Sequence, residues 1–163
     1  MGTGGFKMAI YPKTPITDDT MTFKEGVIPF LRVWVKQEAK PLRLGAYSLQ
    51  RSIDVFNCYI QLHAFMCASY GLKTTIEMQI QSINKDTWGK PLSSGSSYYD
   101  SHRNVIVLCG SLSLITYLHE FAHARGWDEI KAVRWSLSLF KRCFPKMYAA
   151  LGDYQHCKKR KVE

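Results

Sequence analysis

Leu118 to Glu129 reads L-H-E-F-A-H-A-R-G-W-D-E, and within it His119, Glu120 and His123 stand at a spacing that only one kind of local structure makes useful. On an α-helix of about 3.6 residues per turn, positions four apart lie nearly above one another, so two imidazoles can grip one ion from a single face. Glu120 sits beside them, where a carboxylate can take a proton from water at that ion. The flanks supply what such a helix needs. Asn104 to Leu108, N-V-I-V-L, is a β-branched run that predicts a strand, and in Gly110-Ser111-Leu112-Ser113 a serine can cap a helix start. From Ser111 the apolar residues Leu112, Ile115, Leu118 and Ala122 recur at helical spacing, which predicts a buried stripe with His119, Glu120 and His123 largely off it.

Two imidazoles need a third ligand to hold an ion firmly. Gly126 can end the helix in a left-handed cap and reverse the chain at once. Trp127, Asp128 and Glu129 then open a second helix with the stripe Ile130, Val133, Leu137, Phe140 and Phe144, stopped by Pro145. Glu129, six residues after His123, is the expected third ligand. Asp128 is the nearest alternative, and Asp153 and His156 are more distant ones. Both acidic residues also have local roles open to them, Asp128 as the cap and Glu129 as complement to the positive end of the helix dipole.

The rest of the chain predicts an α+β domain around this centre. A helix is expected from Thr22 to Ala39, with Val27, Phe30, Leu31, Trp34 and Val35 inward and Pro41 closing it. A longer one follows from Gly45 to Tyr70, with Leu49, Ile53, Phe56, Ile60, Ala64 and Met66 or Cys67 inward and Gly71 as its stop. His63 in that helix reads as a packed core residue and not a ligand. Thr74 to Ile83 alternates as a half-exposed strand, Asn84 to Ser97 is a turn-rich loop, and Ser96 to Asp100 with Arg103 to Leu108 forms a hairpin.

With 163 residues, 46% hydrophobic and 13% aromatic, the chain suits one domain over 21–157, with an irregular arm over 1–20 and a basic tail over 158–163. No apolar run approaches the roughly 20 residues that span a bilayer, and no basic region precedes an apolar block at the start, so a cytoplasmic protein without membrane contact is expected. Cys58, Cys67, Cys109, Cys143 and Cys157 are odd in number and include no C-x-x-C pair, which argues against a disulfide frame or a zinc ribbon. A net charge of +9 invites nucleic acid as a partner, but much of it is local, in Lys158, Lys159, Arg160 and Lys161. That cluster reads as a solvated end, with nuclear import or phosphate binding as its other uses.

The stretch from Tyr98 to Trp135, with its hairpin, its His119-Glu120-x-x-His123 helix and the following Glu129-x-x-Ala132, resembles small gluzincin-like domains of the zincin superfamily, among them the SprT-like and ImmA/IrrE-like metallopeptidases. The resemblance covers about half of the chain. His-x-x-Gly-x-x-Glu after the first histidine departs from those families and matches metzincin spacing, with Glu129 where His or Asp is usual. It implies a zincin-like fold, Zn2+ held by His119, His123 and Glu129, Glu120 as general base, and a protein or peptide substrate laid along an edge strand, either Tyr98 to Asp100 or Asn104 to Leu108. An oxyanion donor is also implied, with Tyr98, Tyr99, His102, Arg125, Arg134, Tyr148 and Tyr154 all open as candidates. The compact chain would fit a phage or bacterial cytoplasmic protein. His-x-x-x-His-x-x-Gly-x-Asp is also similar to the metal-dependent endoribonucleases of bacterial rRNA maturation, whose third ligand is a histidine at the position of Glu129. A third alternative is a regulatory or nucleic-acid-associated module with structural zinc.

Overall fold

The computed structural model describes residues 22–37, 42–43, 49–79 and 97–150. The arm over 1–20, most of the turn-rich loop after position 83, the basic tail with Lys158 to Lys161, and Asp153, Tyr154, His156 and Cys157 lie outside the described residues. Within them run α1 (Val27–Gln37), β1 (Leu42–Arg43), α2 (Leu49–Tyr70), β2 (Thr75–Gln79), β3 (Tyr98–Asp100), β4 (Val105–Cys109), β5 (Ser111–Leu112), α3 (Leu114–Ala124), α4 (Glu129–Cys143) and α5 (Pro145–Ala149). The architecture is mixed α+β. None of these helices is long and apolar enough to cross a membrane.

β4 is the centre of a three-stranded mixed sheet of order β2-β4-β3, parallel to β2 and antiparallel to β3. All five of its residues, V-I-V-L-C, are buried, as expected of a strand covered on both faces. Of the two edge candidates, Tyr98 to Asp100 is therefore an edge of the sheet among the described residues, and Asn104 to Leu108 is not. The hairpin tip is held by Asp100, whose carboxylate accepts the main-chain N–H groups of His102 and Arg103. Arg103 also spans the sheet, donating to Asp100 on one edge strand and to both carboxylate oxygens of Glu77 on the other. Asn104 takes φ 57°, a left-handed angle that asparagine tolerates better than most residues.

The helical stripes are only partly those expected. In α1, Val27, Leu31 and Trp34 are buried, but the helix starts at Val27 and not at Thr22, because Gly26 at φ 87° breaks the approach to it. In α2 the expected stripe is rotated. Ser52, Tyr59, Leu62, His63 and Met66 are buried, whereas Ile60 is 43% exposed and Ala64 also faces outward. Aromatic and polar groups that find partners win this face: Tyr59 packs edge-on to Trp34 at 5.0 Å, and the Trp34 Nε1–H donates to the Cys58 carbonyl. Ile130 on α4 is likewise 65% exposed instead of inward. α3 is buried around most of its circumference, with Leu114, Tyr117 and Phe121 joining the expected Ile115, Leu118 and Ala122, because it lies against the sheet and α4 at the middle of the core. Pro145 both follows the end of α4 and opens the short α5. Arg32 of α1 donates to the carbonyls of Cys143 and Arg142, closing the C-terminal end of α4.

His63 is a satisfied core residue. Its Nε2–H donates to the Thr74 carbonyl at 2.8 Å, and its Nδ1 lone pair accepts from the Tyr117 hydroxyl at 2.7 Å. Burial lowers its pKa from the ordinary 6.5. Folding thus favours the neutral ring, and this contribution is fully present above about pH 6.5 and is lost as pH falls through the lowered native value. Urea unfolding at stepped pH is expected to show stability declining over that interval. His63→Gln flattens the decline and lowers stability at pH 8 by about 1–3 kcal/mol, since Thr74 and Tyr117 lose a buried partner.

Candidate metal centre

α3 is aimed by its two ends. Ser113, extended at φ −152°, accepts the Thr116 N–H and fixes the start, two residues after Ser111, which instead pairs with Arg43 in a two-stranded β1-β5 ladder. At the other end the Gly126 N–H donates to the His123 carbonyl at 2.8 Å and the Trp127 N–H to the Ala122 carbonyl at 3.3 Å. With Gly126 at φ 92°, this is a Schellman reversal. It turns the chain back within two residues, so that Asp128 caps α4 through the Lys131 N–H at 2.8 Å and Glu129 becomes that helix's first residue.

The reversal brings the sequence-predicted ligands together. One carboxylate oxygen of Glu129, Oε1, lies 3.0 Å from His119 Nε2 and 2.9 Å from His123 Nε2, and the two Nε2 atoms are 3.1 Å apart. These three residues form a cluster with the donor chemistry for a metal ion. Asp128 is not part of it, its carboxylate being committed to the cap. Donors bound at about 2.0–2.1 Å around a tetrahedral ion stand roughly 3.3–3.4 Å apart, so an opening of a few tenths of an ångström would fit this trio to zinc. His119 is 4% exposed, but the Glu129 side chain is 51% exposed, so the cluster meets solvent on the Glu129 side.

The proton positions suit a ligand set. His123 Nδ1 is 2.9 Å from the Trp127 carbonyl, which can only accept, so that nitrogen carries a proton and Nε2 is the one left for an ion. Burial alone would lower the His123 pKa, but the bonds to Glu129 and Trp127 and the charges of Glu120 and Glu129 outweigh it and raise the value. The hydrogen bonds from His119 and His123 hold the Glu129 carboxyl well below the usual carboxylate range.

Glu120 lies close enough to the cluster to feel the charges of His119, His123 and Glu129. Burial raises its pKa, and the charges of His119 and His123 together with the nearby Tyr99 main-chain N–H of the edge strand β3 oppose the rise. Its charge in turn adds to the burial that pushes the Cys109 thiol up to about 11. Among the oxyanion candidates, the Tyr99 hydroxyl donates to Asn104 at 2.6 Å, Tyr148 is the buried residue of α5, and His102 is at the exposed hairpin tip. Arg125 stacks in an aromatic cluster. Tyr98 is 41% exposed on the β3 edge and Arg134 is half-buried on α4.

Sequence reasoning did not find the Trp127 carbonyl or the Tyr99 N–H, because main-chain groups carry no residue-type signature. Gly126 was the only pointer to the first. Since a Cβ at Gly126 would meet nothing within 4 Å, Gly126→Ala tests backbone conformation alone. It is expected to lower stability by about 1–2 kcal/mol, measured by thermal unfolding, without a steric clash. Comparison with protein families, with curated proteins and with solved structures returns no match to this chain.

Proposed function

We propose that the protein is a zinc-dependent metallopeptidase of the zincin type. The observation that carries this reading is the convergence within 3.1 Å of His119 Nε2 and His123 Nε2 from α3 with Glu129 Oε1 from α4, with Glu120 between the two histidines in sequence. Zinc held there would act as a Lewis acid and bring the acidity of water near neutrality. The chain's own residues supply the rest. Glu120, with a pKa raised by burial, takes a proton from water and hands it to the leaving amine. The Trp127 carbonyl keeps His123 in the tautomer that binds through Nε2. Among the described residues no strand pairs with the outer side of β3, where an extended peptide can lie as an added strand.

A carboxylate as third donor favours this reading over the endoribonuclease, whose third ligand is histidine, and Glu120 has a role in peptide hydrolysis that the ribonuclease does not require. Elemental analysis of the purified protein, with casein and RNA cleavage assays on wild type and Glu120→Ala, tests it. Zinc near one equivalent and casein hydrolysis lost in the variant support the peptidase. RNA cleavage without proteolysis, or a protein inert toward both, overturns it.

A further inference from the structure

The Gly126 reversal also sets Arg125 and Trp127 into a separate cleft of about 360 Å³, shared with Lys24, Tyr70, Lys131 and Trp135. Among the described residues three cations line it and no carboxylate does. Of the acids adjacent in sequence to lining residues, Asp128 is turned to the Lys131 main-chain N–H, and Glu25 beside Lys24 is exposed. The Arg125 guanidinium carbon stands 4.4 Å from the Tyr70 ring centre and 4.0 Å from that of Trp127, and Lys131 Nζ stands 4.4 Å from the Trp127 ring. Stacking fixes the plane of the guanidinium but gives its N–H groups no acceptor. Among the described residues no hydrogen bond or ion pair provides one, and burial lowers its pKa with only Tyr70 opposing. A half-buried guanidinium with unmatched donors, flanked by two lysines, is a site for anionic oxygens.

We infer that this cleft binds a phosphate of single-stranded nucleic acid, with the guanidinium held against the Tyr70 and Trp127 rings offering its N–H groups to the anion. Three cations without an acid exceed what one carboxylate requires, and they suit a phosphate. Arginines stacked on aromatic rings in a basic groove are a recurring part of sites that hold single strands without sequence preference. The volume is at the low end of ligand pockets, enough for one nucleotide unit, and the chain's net charge of +9 draws in a polyanion. The inference is independent of whether the metal centre hydrolyses peptides.

The test is fluorescence anisotropy of labelled oligo(dT) with the zinc-loaded full-length protein, in a background where Lys158, Lys159, Arg160 and Lys161 are changed to Gln so that the tail cannot contribute. Saturable binding that weakens with salt is expected. K131Q and R125Q should each weaken it roughly tenfold or more and lower the salt slope. Thymidine monophosphate should compete and thymidine should not. Because R125Q also removes the stacked group, K131Q and K24Q at exposed positions decide the matter if that variant unfolds. The site is refuted if binding disappears with the tail charges or is unchanged by K131Q and K24Q. It is reassigned to free phosphate if inorganic phosphate competes as well as the nucleotide, and to a peptide terminus if a short peptide carboxylate does; either result overturns the nucleic-acid assignment.

Discussion

Glu120→Gln is expected to cut peptide hydrolysis by roughly 10²–10⁴-fold while leaving zinc content unchanged. The separation of these two readouts follows from geometry. Glu120 offers no ligand atom to the His119, His123 and Glu129 cluster, although its charge acts on His123, and the Tyr99 N–H of β3 lies near its carboxylate. A glutamine there still offers an oxygen to the Tyr99 N–H, so the strand and helix stay joined, but its amide cannot take a proton at any working pH. Steady-state kinetics on a quenched fluorescent peptide, with zinc measured on the same samples, gives both numbers. Loss of zinc together with activity would mean that Glu120 is a ligand or a structural support. Unchanged kcat would remove it from the reaction altogether.

What could be read from the sequence was what local periodicity and caps determine. Ser113, Asp128 and Gly126 are residue types whose backbone or capping preferences are strong, and the helix ends they mark around the motif fell close to expectation. That is why the His119, His123 and Glu129 convergence was legible: it depends on one helical turn and one tight reversal, with no long-range contact required. Faces of helices were less legible. Ile60, Ala64 and Ile130 look apolar enough to be core but face outward, while His63 and Ser52 are buried. The deciding terms are tertiary: His63 is accepted inside because Tyr117 and Thr74, 54 and 11 residues away, satisfy both its nitrogens. The same limit applies to the cleft beside Arg125. Tyr70 and Trp127 lie on separate elements, and nothing in either segment alone announces that a guanidinium will stack between them.

The second large effect concerns Glu129. Zinc supplied at about a thousand times its dissociation constant should stabilise the wild-type protein by about 4 kcal/mol, which for a domain of this size raises Tm by roughly 8–16 °C. Removing even an outer partner of a metal ligand costs about 10–100-fold in affinity, so Glu129→Ala, which deletes a donor, should lose at least roughly 100-fold and shrink the zinc effect to about 1.4 kcal/mol or less at the same zinc concentration. Asp128→Ala is the discriminating control. Its carboxylate serves the α4 cap, so its loss should lower stability by about 1 kcal/mol with or without zinc and leave the zinc-dependent shift in Tm intact. The shift should also grow as pH rises. The metal-free protein holds an extra proton on His123 because Glu129 and the Trp127 carbonyl raise its pKa, and that contribution to stability, complete below about pH 6.5, is lost as pH rises through the raised native value. Zinc must displace this proton and therefore binds more tightly once it has gone. Scanning calorimetry of the three proteins at two pH values, each with zinc and with a chelator, measures all of this. A full zinc shift in Glu129→Ala, with the shift lost in Asp128→Ala, would assign the third donor to the residue that caps α4 and undo the centre described for this fold.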